Sequence, residues 1–390
     1  MYKWPLNINN FDEQDRSKIS AFILDSNNRW TQDQQVCLFE KKFAEYVGCK
    51  YAIFICNGSA ANTILAQYTK DLQDPKKNKV ILPSTTWQTS CSPWIREGFE
   101  PIFIDISLDD FCIDKKQLED YVSKNYESIA CVFPTSLIGF TPDIDFFIYL
   151  QNQYKIKIMF DNCENTFGLY NNQNISSYFT STTSTYFGHQ IQSIEGGFIF
   201  TNNQDEYEYF LMLRNHGMTR SLTTYNLKND KYLNNRVNAF FDFYCFGSNY
   251  RNTDINAFIG QMDLEKRDEH INNRKNIYNL FKKYLDPEKY YLPSERIKCQ
   301  DIAFCLPVIA FNNDKTIKAM EICKKSSIEY RPIISGFLGF QTCYSRYFSN
   351  INLKYFSNSI FLHNHGFYIG LHSKITAEDI MLLTQELNNL

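Results

Sequence analysis

Several features are missing from this 390-residue sequence, and each absence closes off a class of function. No apolar run approaches the roughly 18 residues that span a bilayer, so no membrane partner is expected. The twelve cysteines never form a C-x-C or C-x-x-C pair, which removes the usual spacing of metal and redox sites. Neither sign of charge dominates: 40 Lys+Arg stand against 43 Asp+Glu, a formal net charge of -3. No global field therefore draws in nucleic acid or an anionic surface, and any anion must be caught locally. The opening MYKWPLNINNFDEQDRSKIS has neither an apolar core nor a small-residue cleavage pattern, so no secretory signal is predicted. Cys56 in YAIFIC and Cys131 in IACVFP sit in apolar runs, where a free thiol behaves as a small hydrophobe. A reducing cytoplasm is the expected setting. Lysine is absent between Lys157 and Lys228.

What is present is globular: 44% hydrophobic and 16% aromatic residues, on a length that suggests about two domains. Short β-branched apolar runs recur at 51–56, 79–82, 101–106, 128–133, 156–160, 183–187 and 197–201. Segments of helical character, such as 60–71, 115–123 and 144–153, lie between most of them. This alternation predicts an α/β fold whose mainly parallel, seven-stranded sheet carries helices on both faces. Residues 253–285 have helical spacing, and a smaller α/β unit follows. It is expected to contain strands at 304–311, 329–334 and 367–369 and helices at 316–325 and 376–387, which divides the chain at 1–252 and 253–390.

Ligands of open α/β sheets bind beyond the carboxyl ends of the strands, so the residues there are the candidates for a site. Asn57-Gly58-Ser59-Ala60-Ala61-Asn62 follows the first run; a tight turn into a helix start suits a phosphate and equally an ordinary cap. Pro83-Ser84-Thr85-Thr86-Trp87 follows the second, and its tryptophan can serve a flat ligand or the core. Asp161-Asn162-Cys163-Glu164 follows the fifth. A carboxylate there needs a cationic partner if buried, and a solvated loop aspartate reads the same. Ser184 through Gly197, STYFGHQIQSIEGG, brings His189 to the end of the sixth run.

Taken in order, these segments resemble the DegT-type sugar aminotransferases and dehydratases, a branch of the fold-type I pyridoxal phosphate enzymes. N-G-S-A-A-N resembles the phosphate-binding helix start, P-S-T-T-W the ring-stacking segment, D-N-C-E the pyridinium clamp, and T-Y-F-G-H-Q-I-Q-S-I-E-G-G the segment that carries the cofactor-anchoring lysine. The likeness continues through Leu213–Arg220, Gly247–Arg251 and 328–332 and spans nearly the whole chain. It implies that Trp87 stacks on the cofactor ring, Asp161 meets the ring nitrogen and Glu164 the phenolic edge. Gly58, Ser59 and Ser184 would hold the phosphate, with Asn249 reaching it from a second copy in a homodimer that shares its sites. Ala60 stands where many relatives have threonine.

The aminotransferases carry lysine where this chain has His189. Histidine in that place is similar to the sugar 3-dehydratases of dideoxysugar biosynthesis, and Glu164 in place of the usual glutamine points the same way. The resemblance thus implies a lyase using pyridoxal or pyridoxamine phosphate and L-glutamate. It would remove the C3 hydroxyl of a nucleotide-linked 4-keto-6-deoxy sugar, GDP-4-keto-6-deoxymannose being the nearest, with His189 as acid and base. His216, Arg220 and Arg331 are candidate sugar and diphosphate contacts, and Met218 replaces a tryptophan common after the H-G pair. A related branch holds an iron–sulfur cluster on four cysteines; between Gly217 and Gly260 this chain has only Cys245, so no cluster is expected. Two alternatives stay open here: a nucleotide-sugar aminotransferase, and a non-catalytic cofactor-binding homologue.

Overall fold

The computed structural model describes residues 2–219, 222 and 242–390. A sheet of β1 (Tyr51–Ile55), β5 (Phe160–Asp161), β6 (Ser181–Ser184) and β7 (Gly197–Thr201) runs in the order β1-β7-β6-β5. A second group, β2 (Lys79–Pro83), β3 (Glu100–Ile104) and β4 (Ile129–Val132), runs β3-β2-β4. Parallel bridges Val132–Ile158 and Thr135–Asp161 join the two into one seven-stranded sheet. Only β7 is antiparallel, to both β1 and β6.

Why the strands read as unbroken apolar runs follows from what covers them. In β1, Ile53 and Ile55 pack with Ile64, Leu65, Trp94 and Phe210 on one face. Phe54 packs with Phe39, Phe43 and Phe198 on the other. Successive side chains alternate between faces, so in a sheet covered twice every position is buried and an apolar residue suits either face. Helices Gly58–Leu72, Gln88–Arg96 and Gln204–Arg214 lie on the first face; Gln34–Val47, Lys115–Asn125 and Ile144–Tyr154 lie on the other.

A separate antiparallel sheet joins β8 (Leu306–Ile309), β9 (Tyr330–Pro332) and β10 (Gly366–Ile369) in the order β8-β10-β9. Helices Asn313–Lys325 and Ala377–Asn388 pack with it in a further core, close to the ranges expected.

Three expectations need correction. The helical stretch 253–285 is two helices, Asp254–Glu265 and Arg267–Tyr284, broken at Lys266 (φ -93, ψ 7). The Lys266 ammonium there pairs with Asp15 of an N-terminal helix, Glu13–Leu24. The fifth run keeps its ladder only at Phe160–Asp161, with a single bridge at Ile158. The sixth strand is Ser181–Ser184 rather than 183–187. Its residues are polar yet buried, because Ser181, Thr182 and Thr183 spend their hydroxyls on Ser176, Asn62 and Thr166 at 2.7 Å each. Paired hydroxyls can be buried at little cost, whereas hydrophobicity alone pulled the strand towards Tyr186 and Phe187, which are exposed. Among the described residues no helix is long and apolar enough to cross a membrane.

Candidate active site

The carboxyl ends of β1, β2, β5 and β6 open into one cavity of about 780 Å³. Its wall includes Gly58, Ser59, Trp87, Asp161, Glu164, Ser184, His189 and Arg331. Eight of the residues singled out in the sequence, from positions 58 to 331, thus meet in one place. No lysine lies in that wall among the described residues.

Asp161 ends β5 at 2% exposure. Its Oδ2 accepts from the Asn62 amide at 2.8 Å and the Ser90 hydroxyl at 2.6 Å, and its Oδ1 from the Cys163 N–H at 3.0 Å. These three donors fix the plane of the carboxylate, so Asp161 is a built feature of the cavity rather than a solvated loop residue. Asn62 lies within the N-G-S-A-A-N motif, whose glycine and serine point to a phosphate; nothing in the sequence marks Ser90.

The helix Gly58–Leu72 begins where β1 ends, capped by the Asn57 side chain, which accepts from Ala60 N–H at 2.8 Å. Gly58 is required by crowding: a Cβ there would lie 2.8 Å from Cys163 Sγ and 3.0 Å from Ser184 Cβ. Ser59 Oγ is paired with Thr89 Oγ1 at 2.7 Å. The free N–H groups of this helix start, with the Ser59 and Ser184 hydroxyls in the same wall, could hold an anion. Trp87, just before helix Gln88–Arg96, is 55% exposed on the cavity rim, while Trp94 in the same helix is fully buried. The second tryptophan is the core residue and the first is open to a ligand.

His189 lies in the connection between β6 and β7, half-buried, with its ring 5.3 Å from that of Phe304. Its Nδ1 is 2.5 Å from the Cys163 carbonyl oxygen, an acceptor only, so Nδ1 carries the proton and Nε2 keeps its lone pair. Burial lowers the imidazole from 6.5, with Arg274 adding to that; the Cys163 carbonyl and Asp161 oppose it. The ring is therefore neutral at pH 7. Glu164 behaves oppositely: burial, with help from Asp161, raises its carboxyl from 4.5 to about 8, although the Ile138 N–H donates to it at 2.8 Å. At pH 7 it is mostly protonated.

Arg331 is held by Glu329, Nη2 to Oε1 at 2.7 Å. His216 and Asn249 stand outside the wall. The His216 N–H donates to Ser248 O at 2.8 Å, and Asn249 Oδ1 accepts from Arg251 Nε at 3.0 Å. Arg220 lies outside the described residues. Leu6, Asn7, Phe304 and Tyr368 also line the cavity, with Tyr186 and Glu329 from two of the matching segments; no motif marks the first four.

Residues 12–388 match the DegT/DnrJ/EryC1/StrS aminotransferase family. The chain belongs to that family. Over 388 residues, 97% of each chain, it is 27% identical to GDP-4-keto-6-deoxy-D-mannose 3-dehydratase of Yersinia pseudotuberculosis. It is also 29% identical to GDP-perosamine synthase of Caulobacter vibrioides, over 63% of this chain and 61% of that one. Among solved structures, the Escherichia coli GDP-4-keto-6-deoxy-D-mannose 3-dehydratase with bound hydrated PLP superposes with a TM-score of 0.84, at 24% identity, covering 99% of this chain and 100% of that one. Within the DegT/DnrJ/EryC1/StrS family the fold is the pyridoxal phosphate aminotransferase fold, so the seven-stranded sheet and the second sheet are those of a fold-type I protein.

Proposed function

We propose that the protein is a pyridoxal phosphate-dependent 3-dehydratase of a nucleotide-linked 4-keto-6-deoxy sugar, working in the cytoplasm with glutamate as amino donor. The observation that carries this reading is His189, beside Asp161 and Ser184, in a wall that holds no lysine among the described residues. The full-length likeness to named GDP-4-keto-6-deoxy-D-mannose 3-dehydratases supports it.

The residues fit the cofactor. Asp161, held by three donors, suits a protonated ring nitrogen; the Gly58–Ser59 helix start and Ser184 suit its phosphate; Trp87 suits its face, and the protonated Glu164 can donate to its phenolic oxygen. When bound, the cofactor supplies an amino group taken from glutamate and an electron sink for breaking bonds beside it. His189 does the proton work. Its Nε2, unprotonated at neutral pH, accepts one proton and returns it to the oxygen that leaves C3 as water. Histidine cannot tether the cofactor as lysine would, which suits release of a deoxygenated ketosugar and ammonia over an amino sugar. Arg331, on the rim, is a candidate for the diphosphate once freed from Glu329; His216 stands outside the wall and Arg220 outside the described residues.

A homodimer with shared sites belongs to the same proposal. Asn249 lies outside its own cavity, beside an outward-facing Phe243, Tyr244 and Phe246, the last 95% exposed. Such an aromatic patch suits a second copy of the chain. The deciding experiment is ammonia release from GDP-4-keto-6-deoxymannose with glutamate and cofactor, followed alongside the absorption spectrum before and after glutamate. Ammonia in step with sugar consumed supports the dehydratase. An amino sugar without ammonia makes it an aminotransferase, and a spectrum indifferent to glutamate makes it a binding protein.

A further inference from the structure

The N-terminal residues form a strap between the small sheet and the loop that carries His189. On one side, the N–H groups of Lys3 and Trp4 donate to Ser327 O at 3.0 and 3.3 Å, and Glu329 N–H donates to Trp4 O at 2.8 Å. The Trp4 indole donates to Gly370 O at 3.0 Å, and Leu6 N–H donates to Glu329 Oε2 at 3.0 Å. Contact is close enough that a Cβ at Gly370 would sit 2.3 Å from Pro5 O. On the other side, Asn7 Nδ2 donates to the Phe187 carbonyl, and Gln192 Nε2 donates to Ile8 O at 3.2 Å.

Both of these last contacts fall on residues 185–196. The Phe187 peptide is tied further by its own N–H, which donates to Ile194 O at 3.1 Å. Only Gly188, the least restrained residue type, separates it from His189. Leu6 and Asn7 also line the cavity itself. One carboxylate, Glu329, holds the strap through Oε2 and Arg331 through Oε1.

We propose that this strap is the wall against which the sugar is placed, and that Asn7 is a positioning residue for His189, acting through the Phe187 carbonyl. The role in proton transfer rests on the dehydratase reading; the coupling of strap to loop does not. Proton transfer demands that donor and acceptor be held at hydrogen-bond distance, and a displacement of about 1 Å can cost about a hundredfold in rate. The His189 imidazole is held by the Cys163 carbonyl and its backbone N–H by Tyr186 O at 2.8 Å; the tie from Asn7 to the neighbouring Phe187 carbonyl adds a restraint on the same turn from outside the loop.

The test uses the full-length holoprotein with Asn7→Ala and Asn7→Asp, the second keeping the shape while removing the donor. Hydrogen exchange across 185–196 should speed up in both, with cofactor affinity little changed, because the groups that hold Asp161 and Ser59 are Asn62, Ser90, Cys163 and Thr89, none of them in the strap. Ammonia release should lose about ten- to a hundredfold in kcat, with a smaller change in KM. The glutamate-driven spectral change should persist. Unaltered exchange together with a kcat within twofold of the parent would overturn the proposal; so would faster exchange confined to residues 2–8. If the parent releases no ammonia from any such sugar, the dehydratase reading fails, and the exchange comparison still decides whether the strap holds the loop.

Discussion

His189 and Glu164 sit in one cavity and are pushed to opposite protonation states by the same cause, burial. A neutral imidazole and a neutral carboxyl result, one ready to accept a proton and the other to donate. His189→Asn keeps a polar group but removes the titrating nitrogen. Its cofactor affinity should stay near the parent's, while ammonia release falls by about two to four orders of magnitude; release at the parent rate would remove His189 from the mechanism. Glu164 carries a stability prediction. Its folded pKa, about 8, lies above the unfolded 4.5, so the folded state holds the proton more tightly. The contribution is fully present below pH 4.5 and is lost as pH rises to about 8, on the order of a few kcal/mol. In the cofactor-free protein, Glu164→Gln should melt higher than the parent at pH 8.5 and equally at pH 4.5. Equal melting at both values would place the carboxyl in a more polar setting than its burial suggests.

At the scale of the element, the helix start after β1 is built by contact as much as by capping. Gly58 leaves space that any Cβ would take from Cys163 Sγ and Ser184 Cβ. Gly58→Ala should therefore weaken pyridoxal phosphate binding by about tenfold or more, since a phosphate cradle depends on backbone N–H groups held within hydrogen-bond distance. Adding Cys163→Ala removes the nearer obstruction and should restore part of the affinity in a spectroscopic titration. If the double variant binds no better than the single one, the cradle is limited by Ser184 instead. The long helix expected at 253–285 shows the reverse lesson. Periodicity marks its apolar face, but at the break Lys266 pairs with Asp15, some 250 residues earlier, a contact no local pattern shows.

For the molecule as a whole, the aromatic patch around Phe246 and the placement of Asn249 outside its own cavity lead to a concentration test. Asn249→Ala should lower cofactor affinity in the assembled protein, and Phe246→Asp should shift the species seen by light scattering at micromolar concentration from dimer to monomer, with activity falling in parallel. A parent that is monomeric and fully active would end the shared-site proposal.

Much of this protein is written locally. Unbroken apolar runs mark most of the strands because a sheet covered on both faces buries every position. The order of motifs after those runs placed His189, Asp161, Gly58 and Ser184 in one family, and the match over residues 12–388 agrees. What only the tertiary structure decided is how those residues are held. Asn62 and Ser90 grip Asp161, the Cys163 carbonyl sets the tautomer of His189, and Asn7 ties the Phe187 carbonyl from the far end of the chain. Strand Ser181–Ser184 became core because its hydroxyls found partners on other segments. Hydrogen bonds between distant residues leave no periodicity along a chain, so a single sequence shows the groups that do chemistry more readily than those that aim them.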